Sequence, residues 1–465
     1  MKLKHLFLST LVACAFASCS DDDGPGEPVY QQIDSYLSIS TTANTGTITK
    51  AGNVEDGDPA TEVGDKKERK IHTLTAVVFY EDGKLAATKT VEEPSQDENG
   101  NTEIKDIIVK VAAIEAGQIS TTKLKVYLLA NVSLASSDIA DYGAFVKAKF
   151  SGITNCSFDG VMSEKSEQYI PMSSSELTVE GMIAGTAYNN WMEAGNKNPV
   201  LTSNPGNGND YKKLEKGTDG IYMAGSTSYK VTNRISLVRY VARVQLESLT
   251  VAFDNNYDNA EFELTKVSLA NVSNYSLYVE QSGSLQPGDM LKDDFYRGFP
   301  ETIERADYYL GKGQYAANAL SKSYEGIALS SKKTSTITFN DQTTQKAEGT
   351  HDMAQFYAFE FQSVDVTPDD KEDLPSTANT KINTMLIITG NWKNGPINEE
   401  RSFRIPIRHS NEDYQVKRNY IYKVHATLTG EGTANPDKNM LNACLSFSID
   451  VQPWKVIKQT EDDVN

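Results

Sequence analysis

The sequence predicts a mainly β protein built from β-sandwiches, with few and short helices. Many short segments alternate apolar and polar residues with a period of two, the pattern of a strand with one buried face. Turn-forming Gly, Asn, Asp and Pro residues separate these segments, and helical patterns are scarce. Short strands with frequent turns and little helix are typical of sandwich folds.

Length and charge limit the possible classes of protein. The chain has 465 residues, enough for two or three domains. Hydrophobic residues make up 39% of it and charged residues 23%, a composition that supports a globular core. The formal net charge of −18 argues against nucleic acid or an anionic membrane surface as the main partner.

Residues 1–18 have the features of a targeting segment. Lys2 and Lys4 precede the apolar run Leu6–Phe16, which is too short to span a bilayer. The sequence Phe-Ala-Ser-Cys that ends at Cys19 resembles a bacterial lipobox, in which the cysteine is acylated. The acidic run Ser20–Asp23, a serine followed by three aspartates, resembles a surface-export signal of Bacteroidetes lipoproteins, although a solvated leader without a sorting role is the alternative.

A strand and a cleavable loop precede the main body. Ser35–Ser40 alternates as a short strand, and residues 51–65 contain hardly any apolar residue. Such a polar segment predicts an exposed loop that is open to proteolysis. Basic residues stand on both sides of this loop, with Lys50 before it and Lys66–Lys70 after it.

The body begins with strands and one helix candidate. Asp82 and Gly83 form a hairpin turn between the first two strands, because Asp-Gly suits a positive φ. The segment Ser136–Phe150 is the best helix candidate, with Ser136 or Ser137 as its N-cap. The predicted strands of this region are Ile71–Tyr80, Leu85–Val91, Ile104–Val111 and Lys123–Ala130.

The second half of the chain has the same pattern of short strands separated by turns. The long β run Ser236–Phe253 opens it, and we place the domain boundary just before this run, near Asn233. Leu129–Ser133 and Leu269–Ser273 both read Leu-Ala-Asn-Val-Ser, which leaves internal duplication and chance both open. Further predicted strands are Phe262–Val272, Phe356–Gln362, Thr384–Trp392, Phe403–Ile407 and Arg418–Leu428.

The last strand, residues 445–456, carries apolar side chains on one face. The phase of the alternation changes at Pro453, which fits an edge strand or a bulge because proline cannot donate to a ladder. Such a strand either closes its own domain or lies in the groove of another molecule. Its apolar positions are Leu445, Phe447, Ile449, Val451, Trp454 and Val456.

Catalytic patterns are absent from the sequence. The histidines after the leader do not stand at metal-ligand spacing, and no nucleophile elbow, P-loop or dinucleotide-binding motif occurs. We therefore expect no enzymatic activity, no cofactor and no metal site. These histidines are His72, His351, His409 and His425.

Together these motifs resemble the Bacteroidales type V pilins, the fimbrillin and minor-fimbrillin-like proteins. At the N-terminus, the resemblance lies in the order of four features: the lipobox, the acidic leader, Ser35–Ile39 and Lys50–Gly52. The ending Ser446–Val456 is similar to the tail of minor-fimbrillin subunits. Four internal motifs add to it: Val126–Asn131, Ile170–Ser173, Val241–Val244 and Arg418–Tyr422.

The resemblance implies two tandem transthyretin-like β-sandwich domains and a maturation pathway. The protein would reach the cell outer membrane as a lipoprotein acylated at Cys19, and a trypsin-like protease would cut between Lys50 and Ala51. The group that contains Arg69 is the second choice for the cut. The implied parts are a signal peptide (1–18), a lipidated propeptide with the first strand (19–50), an N-terminal domain (51–233) and a C-terminal domain (234–465) that ends in the donor strand (445–456).

The resemblance also implies a function. Cleavage would remove a strand whose inward residues include Leu37 and Ile39, and the last strand of a neighbouring subunit would fill the groove. The protein would be a shaft pilin of extracellular fimbriae that supports adhesion. Its partners would be other fimbrial subunits, the maturation protease, the outer membrane before cleavage, and ligands on host or bacterial surfaces. An anchor or tip subunit and a glycan-binding surface lipoprotein are the alternatives.

Overall fold

The structure is a computed structural model, and the ranges that it describes extend from residue 29 to residue 453 with gaps. They are 29–43, 71–94, 101–116, 118, 120–150, 169–180, 182, 184, 200–201, 214–216, 222–224, 235–253, 257–273, 275–279, 295–296, 321–340, 350–362, 364–365, 381–410, 415–434 and 444–453.

The chain is mainly β, as the sequence predicts, and the strands of its first half lie mostly in one 11-stranded sheet. The order in this sheet is β3-β2-β5-β7-β12-β1-β9-β10-β11-β8, with β4 paired to β1. The strands are β1 Gln31–Ala43, β2 Thr73–Tyr80, β3 Leu85–Glu92, β4 Asn101–Ala113, β5 Leu124–Ala130, β6 Lys149–Phe150, β7 Met172–Ser173, β8 Leu177–Val179, β9 Val200–Leu201, β10 Leu214–Lys216, β11 Tyr222–Ala224 and β12 Ile235–Arg239.

The second half forms a sandwich of two larger sheets, with order β20-β19-β13-β28-β29 in one and β18-β14-β25-β26 in the other; β21 also pairs β13. The strands are β13 Val241–Val251, β14 Glu261–Ala270, β15 Val272–Ser273, β16 Ser276–Leu277, β17 Phe295–Tyr296, β18 Ser321–Leu329, β19 Thr336–Asn340, β20 Thr350–Asp352, β21 Ala354–Phe359, β22 Phe361–Gln362, β23 Val364–Asp365, β24 Lys381–Ile382, β25 Met385–Asn394, β26 Ile397–Pro406, β27 Gln415–Val416, β28 Tyr420–Leu428 and β29 Leu445–Pro453.

The hairpin predicted at the start of the body is confirmed. β2 pairs antiparallel with β3, and Gly83 in the turn has a φ of +88°, a conformation that glycine adopts without steric cost. β2 and β5 are buried along nearly their whole length, because both lie inside the sheet and carry apolar residues on both faces. They form the centre of the first hydrophobic core.

The helix is shorter than the sequence predicts. Helix α1 covers Tyr142–Lys147, and its N-cap is Asp141, whose carboxylate accepts from the backbone N–H of Ala144 at 2.7 Å. The prediction of a helix over Ser136–Phe150 was therefore wrong at both ends. At its C-terminal end, Lys149–Phe150 is extended and pairs with β16 as the short strand β6.

The long β run that opens the second half is two strands and not one. β12 pairs in the first sheet and β13 in the second, so the chain changes sheets at Tyr240, which is fully buried. The backbone N–H of Tyr240 bonds the carbonyl of Pro171 at 2.9 Å. The domain boundary after residue 233 stays a prediction.

The second hydrophobic core lies between the two sheets of the C-terminal half. Residues of β13 and β28 face residues of β14, β25 and β26, and the largest buried side chain is Trp392. Phe253 and Tyr257 contact the Trp392 ring edge-to-face at 4.9 and 5.3 Å. Two sheets packed over one apolar layer form a β-sandwich.

Candidate functional site

The first strand is held mainly by one neighbour. β1 pairs antiparallel with β4 from Gln31 to Thr42, with a register shift between Leu37 and Ile39. Among the described residues, the other edge of β1 makes only short parallel contacts with β9, at Ser38 and Ile39, and with β12, at 41–43. Most of the β1 ladder therefore depends on β4.

The inward side chains of β1 belong to the first core. Leu37 and Ile39, the residues that the sequence assigns to the displaced strand, are both 0% exposed. Ser35 is also 0% exposed, while Ile33 is half-buried against the same core. The residues of β4 opposite these four positions are Val111, Val109, Ile107 and Ile104, all buried.

The outer face of the β1–β4 ribbon carries an ion pair. Lys110 Nζ lies 2.9 Å from Asp34 Oδ1, and both side chains are more than half exposed. The hydrogen bond to Asp34 raises the pKa of Lys110 above its ordinary value. The carbonyl of Lys110 also accepts from the hydroxyl of Tyr80 at 3.0 Å.

The last strand lies in its own domain but at the edge of a sheet. β29 pairs antiparallel with β28 over its whole length, from Leu428 opposite Leu445 to Tyr420 opposite Pro453. Within the residues that the structure describes, no strand pairs with the other edge of β29. An edge position fits the proline at its end.

The apolar side of β29 is only half-buried. The inward residues pack against the second core, whereas the outward residues Ser446, Ser448 and Asp450 are exposed. The guanidinium of Arg408 lies 5.3 Å from the ring centre of Phe447. The half-buried residues are Leu445, Phe447, Ile449 and Val451. β29 thus buries less of each side chain than β1 does.

The structure does not bring the two predicted segments together. β1 and β29 lie in different sheets of the same chain. The remaining predicted positions fall outside the described residues. They are the lipidation site Cys19, the cleavage positions Lys50, Ala51 and Arg69, and the donor residues Trp454 and Val456.

A buried arginine at the junction of the two halves was not predicted. The Arg418 guanidinium pairs with Glu360, with Nε 2.8 Å from Oε2, and donates to Ser276 Oγ at 3.0 Å and to the carbonyl of Leu277 at 3.1 Å. It also lies 5.2 Å from the centre of the Tyr240 ring. The sequence carried no specific signal for it, because an arginine two residues before a strand is ordinary and only its full burial requires a paired charge.

Tyr278 extends this junction to the first half. Its carbonyl accepts from the hydroxyl of Tyr240 at 2.8 Å, and its own hydroxyl donates to Asp138 at 2.9 Å. Burial raises the pKa of the Tyr278 hydroxyl, so it stays a proton donor at neutral pH. The Phe150 ring contacts the Tyr240 ring edge-to-face, with centroids 5.4 Å apart, and lies tilted to the Tyr278 ring at 6.1 Å.

A metal centre and a membrane-spanning helix are both absent from the described ranges. There, no group of three or more His, Cys, Asp or Glu residues is placed to hold a metal ion. No described helix has the length and apolar character needed to cross a membrane.

Comparisons with known proteins give one family match. Residues 35–232 match the family model of the major fimbrial subunit protein, FimA. This range contains most of β1 together with β4, the strand that holds it. No curated protein sequence is significantly similar to the chain.

Solved structures of the same fold cover most of the chain. A candidate cell adhesion protein of Parabacteroides distasonis has a TM-score of 0.54 at 17% identity, over 91% of this chain and 100% of that one. A second such protein from the same organism gives 0.52 at 16% identity, over 92% and 99%. A fimbrilin (FimA) of Porphyromonas gingivalis W83 gives 0.52 at 15%, over 91% and 99%.

Proposed function

We propose that this chain, which belongs to the major fimbrial subunit (FimA) family through residues 35–232, is a shaft pilin that polymerises by donor-strand exchange. The observation that carries the proposal is the contrast between its two terminal strands. β1 fills a core position with fully buried side chains, whereas β29 lies half-buried at a sheet edge. One strand leaves a groove when it is removed, and the other is available to fill a groove.

Removal of β1 would open a groove in the first sandwich. β4 would lose the ladder of backbone hydrogen bonds that it makes with residues 31–42, and its unpaired N–H and C=O groups would face the gap. The buried side chains of Ile104, Ile107, Val109 and Val111 would lose their cover. An unpaired strand above an apolar floor favours the addition of an extended peptide.

The tail of a second subunit has the chemistry to occupy this groove. Its half-buried apolar residues gain burial on moving from a sheet edge into a core position. Each gains a part of the roughly 1.5–3 kcal/mol that full burial of an exposed large side chain contributes. A tail-to-groove contact joins unlike surfaces, so it propagates along an open filament. The subunit is then a mechanical component and needs no catalytic residues.

The N-terminal segment supplies the control of assembly in this proposal. Acylation at Cys19 would hold the precursor at the outer membrane, and cleavage at Lys50 or near Arg69 would release β1. Assembly would therefore begin only after export, and the mature subunit would lie in an extracellular fimbrium. Its partners would be other fimbrial subunits, with surface ligands contacted by the finished fibre.

A tail deletion tests the proposal. We expect a variant lacking residues 445–465 to be processed and to give a folded monomer by circular dichroism, but no fibres by electron microscopy. Phe447→Asp with Ile449→Asp should have the same effect, because both side chains face the core. Ser446→Ala with Ser448→Ala is the matched control, since both are exposed, and should form fibres.

Fibres that form without the tail would overturn the donor assignment. An intact N-terminus on protein purified from the cell surface would contradict the shaft role, because an anchor subunit keeps its first strand. N-terminal sequencing of the surface protein shows whether the first strand has been removed, as in a shaft subunit, or kept, as in an anchor subunit.

A further inference from the structure

The terminal strands repeat the same cross-strand pairs on their two partner strands. β1 and β29 both contain the dipeptide Ile-Asp, and both run antiparallel to a strand that contains Lys-Val. In each case the aspartate stands opposite the lysine and the isoleucine opposite the valine. The pairs are Asp34 with Lys110 and Ile33 with Val111 on β4, and Asp450 with Lys423 and Ile449 with Val424 on β28.

The partner strands agree beyond these two positions. Residues 109–113 of β4 read Val-Lys-Val-Ala-Ala, and residues 422–426 of β28 read Tyr-Lys-Val-His-Ala. The three inward positions of each run are at most 2% exposed. The small residue at the end of each run, Ala113 or Ala426, leaves room beneath the opposite strand, and Phe447 now lies opposite Ala426. The two partner strands thus share two of three floor residues, a valine and an alanine, and the outward lysine, and they differ at the first floor position, which is Val109 in β4 and Tyr422 in β28.

We propose that the donor tail docks on β4 of the next subunit in one register, with Asp450 opposite Lys110. The inference rests on the proposed donor-strand function and adds the residue pair that aligns the two strands. Asp450 then takes the place of Asp34, whose carboxylate pairs with Lys110 at 2.9 Å before cleavage. The exposed pair of Asp450 and Lys110 fixes the alignment of the two strands and adds little to the affinity, because ion pairs at a surface contribute little net stability.

The same register places apolar side chains over the groove. Ile449 takes the position of Ile33, and Val451 takes the position of Ser35, which is 0% exposed. Phe447 takes the position of Gln31, opposite the buried Ala113. At the positions of Gln31 and Ser35 the tail therefore carries larger apolar groups than the strand that it replaces.

An irregularity in each strand falls at the same level. β4 shifts its register between the partners of Leu37 and Ile39. If Asp450 occupies the position of Asp34, then Pro453, three residues later, occupies the position of Leu37. A proline is tolerated where a ladder is interrupted, and the alternation of the tail changes phase at this residue.

Neighbouring registers fit less well. A shift by one residue would turn the apolar face of the tail toward solvent. A shift by two residues keeps that face inward but places Ser448 or Gln452 opposite Lys110, and Asp450 opposite Ile108 or Ala112. Neither position offers a positive charge to the carboxylate.

Disulfide cross-linking within assembled fibres tests the register. The double variant Lys110→Cys/Asp450→Cys, in a background of Cys156→Ser and Cys444→Ser, should give a covalent ladder of subunits on a non-reducing gel. Directly opposite residues satisfy the Cα separation that a disulfide needs. Lys110→Cys with Ser448→Cys or with Gln452→Cys serves as the register control and should give several-fold less ladder. A stronger ladder from either control would overturn the register.

Charge reversal gives an independent measurement. Lys110→Glu should slow assembly by roughly two- to fivefold, the range for one exposed pair, and Asp450→Lys in the same chain should restore the rate. Lys84→Glu is the matched control, because Lys84 forms an exposed pair of the same 2.9 Å length with Asp82 in a hairpin turn. If Lys110→Glu assembles like the control, the pair does not align the strands. Fibres from the tail-deleted chain would instead overturn the proposed function itself.

Discussion

Asn131 and Asn271 occupy the same position in the two halves of the chain. Each ends a central strand in the sequence Leu-Ala-Asn-Val-Ser and has a left-handed backbone, with φ of 58° and 55°. The Asn131 side chain accepts from the backbone N–H of His72 at 2.7 Å, and the Asn271 amide donates to the carbonyl of Asn383 at 3.0 Å. The equal backbone conformation at equal sequence is what an internal duplication would produce, and the duplication itself stays a prediction.

The two asparagines should be sensitive to alanine. Asn131→Ala or Asn271→Ala removes the side-chain hydrogen bonds. Alanine also lacks the short polar side chain with which asparagine stabilises a left-handed backbone. We expect each change to lower the free energy of unfolding by about 1–3 kcal/mol in urea titration. Asn→Gly at the same sites keeps the backbone conformation and should cost less. Alanine variants as stable as the native chain would contradict this role.

Truncation of an inward side chain should lower the free energy of unfolding more in β1 than in β29. Leu37→Ala removes a fully buried side chain of β1 and should destabilise the uncleaved precursor by about 2–5 kcal/mol. Ile449→Ala in β29 should cost roughly half as much, because that side chain is only half-buried. Urea unfolding of the two precursors measures both values. Equal losses would show that β29 is as firmly held as β1.

Maturation should depend on the basic residues on either side of the predicted loop. The triple variant Lys50→Ala/Arg69→Ala/Lys70→Ala should keep its N-terminal segment and remain a lipid-anchored monomer, because a trypsin-like protease needs a basic residue. Mass spectrometry of the surface protein detects the retained segment, and the variants of each site alone identify the cut. Lys84→Ala/Lys89→Ala in the first hairpin is the control. Normal processing of the triple variant would contradict the cleavage scheme.

The junction between the halves should depend on the Arg418–Glu360 pair. Arg418→Met leaves the Glu360 carboxylate without its partner in a largely buried site and should lower stability by about 3–5 kcal/mol. Arg418→Met with Glu360→Leu should cost less than the single change, because no unpaired charge remains. Chemical denaturation compares these two variants with Glu360→Leu alone. A double variant that loses the sum of both single effects would contradict coupling between the residues.

The sequence was sufficient for the properties that neighbouring residues control. A period-two alternation is visible within a few residues, so the strands around Leu37, Val126 and Ile449 and the turn at Gly83 were predicted. The helix was not predicted correctly at its ends. Its limits depend on the capping of Ala144 by Asp141 and on the pairing of Lys149 with a strand more than 100 residues away.

The sequence by itself determined the β class, the apolar face of the tail and the targeting pattern at the N-terminus. Only the tertiary structure decided which strands pair and in which register. Asp34 meets Lys110, and Asp450 meets Lys423, through backbone ladders between segments far apart in the chain or separated by a loop. The physical reason is that a strand satisfies its hydrogen bonds outside itself, so its own residues do not specify its partner.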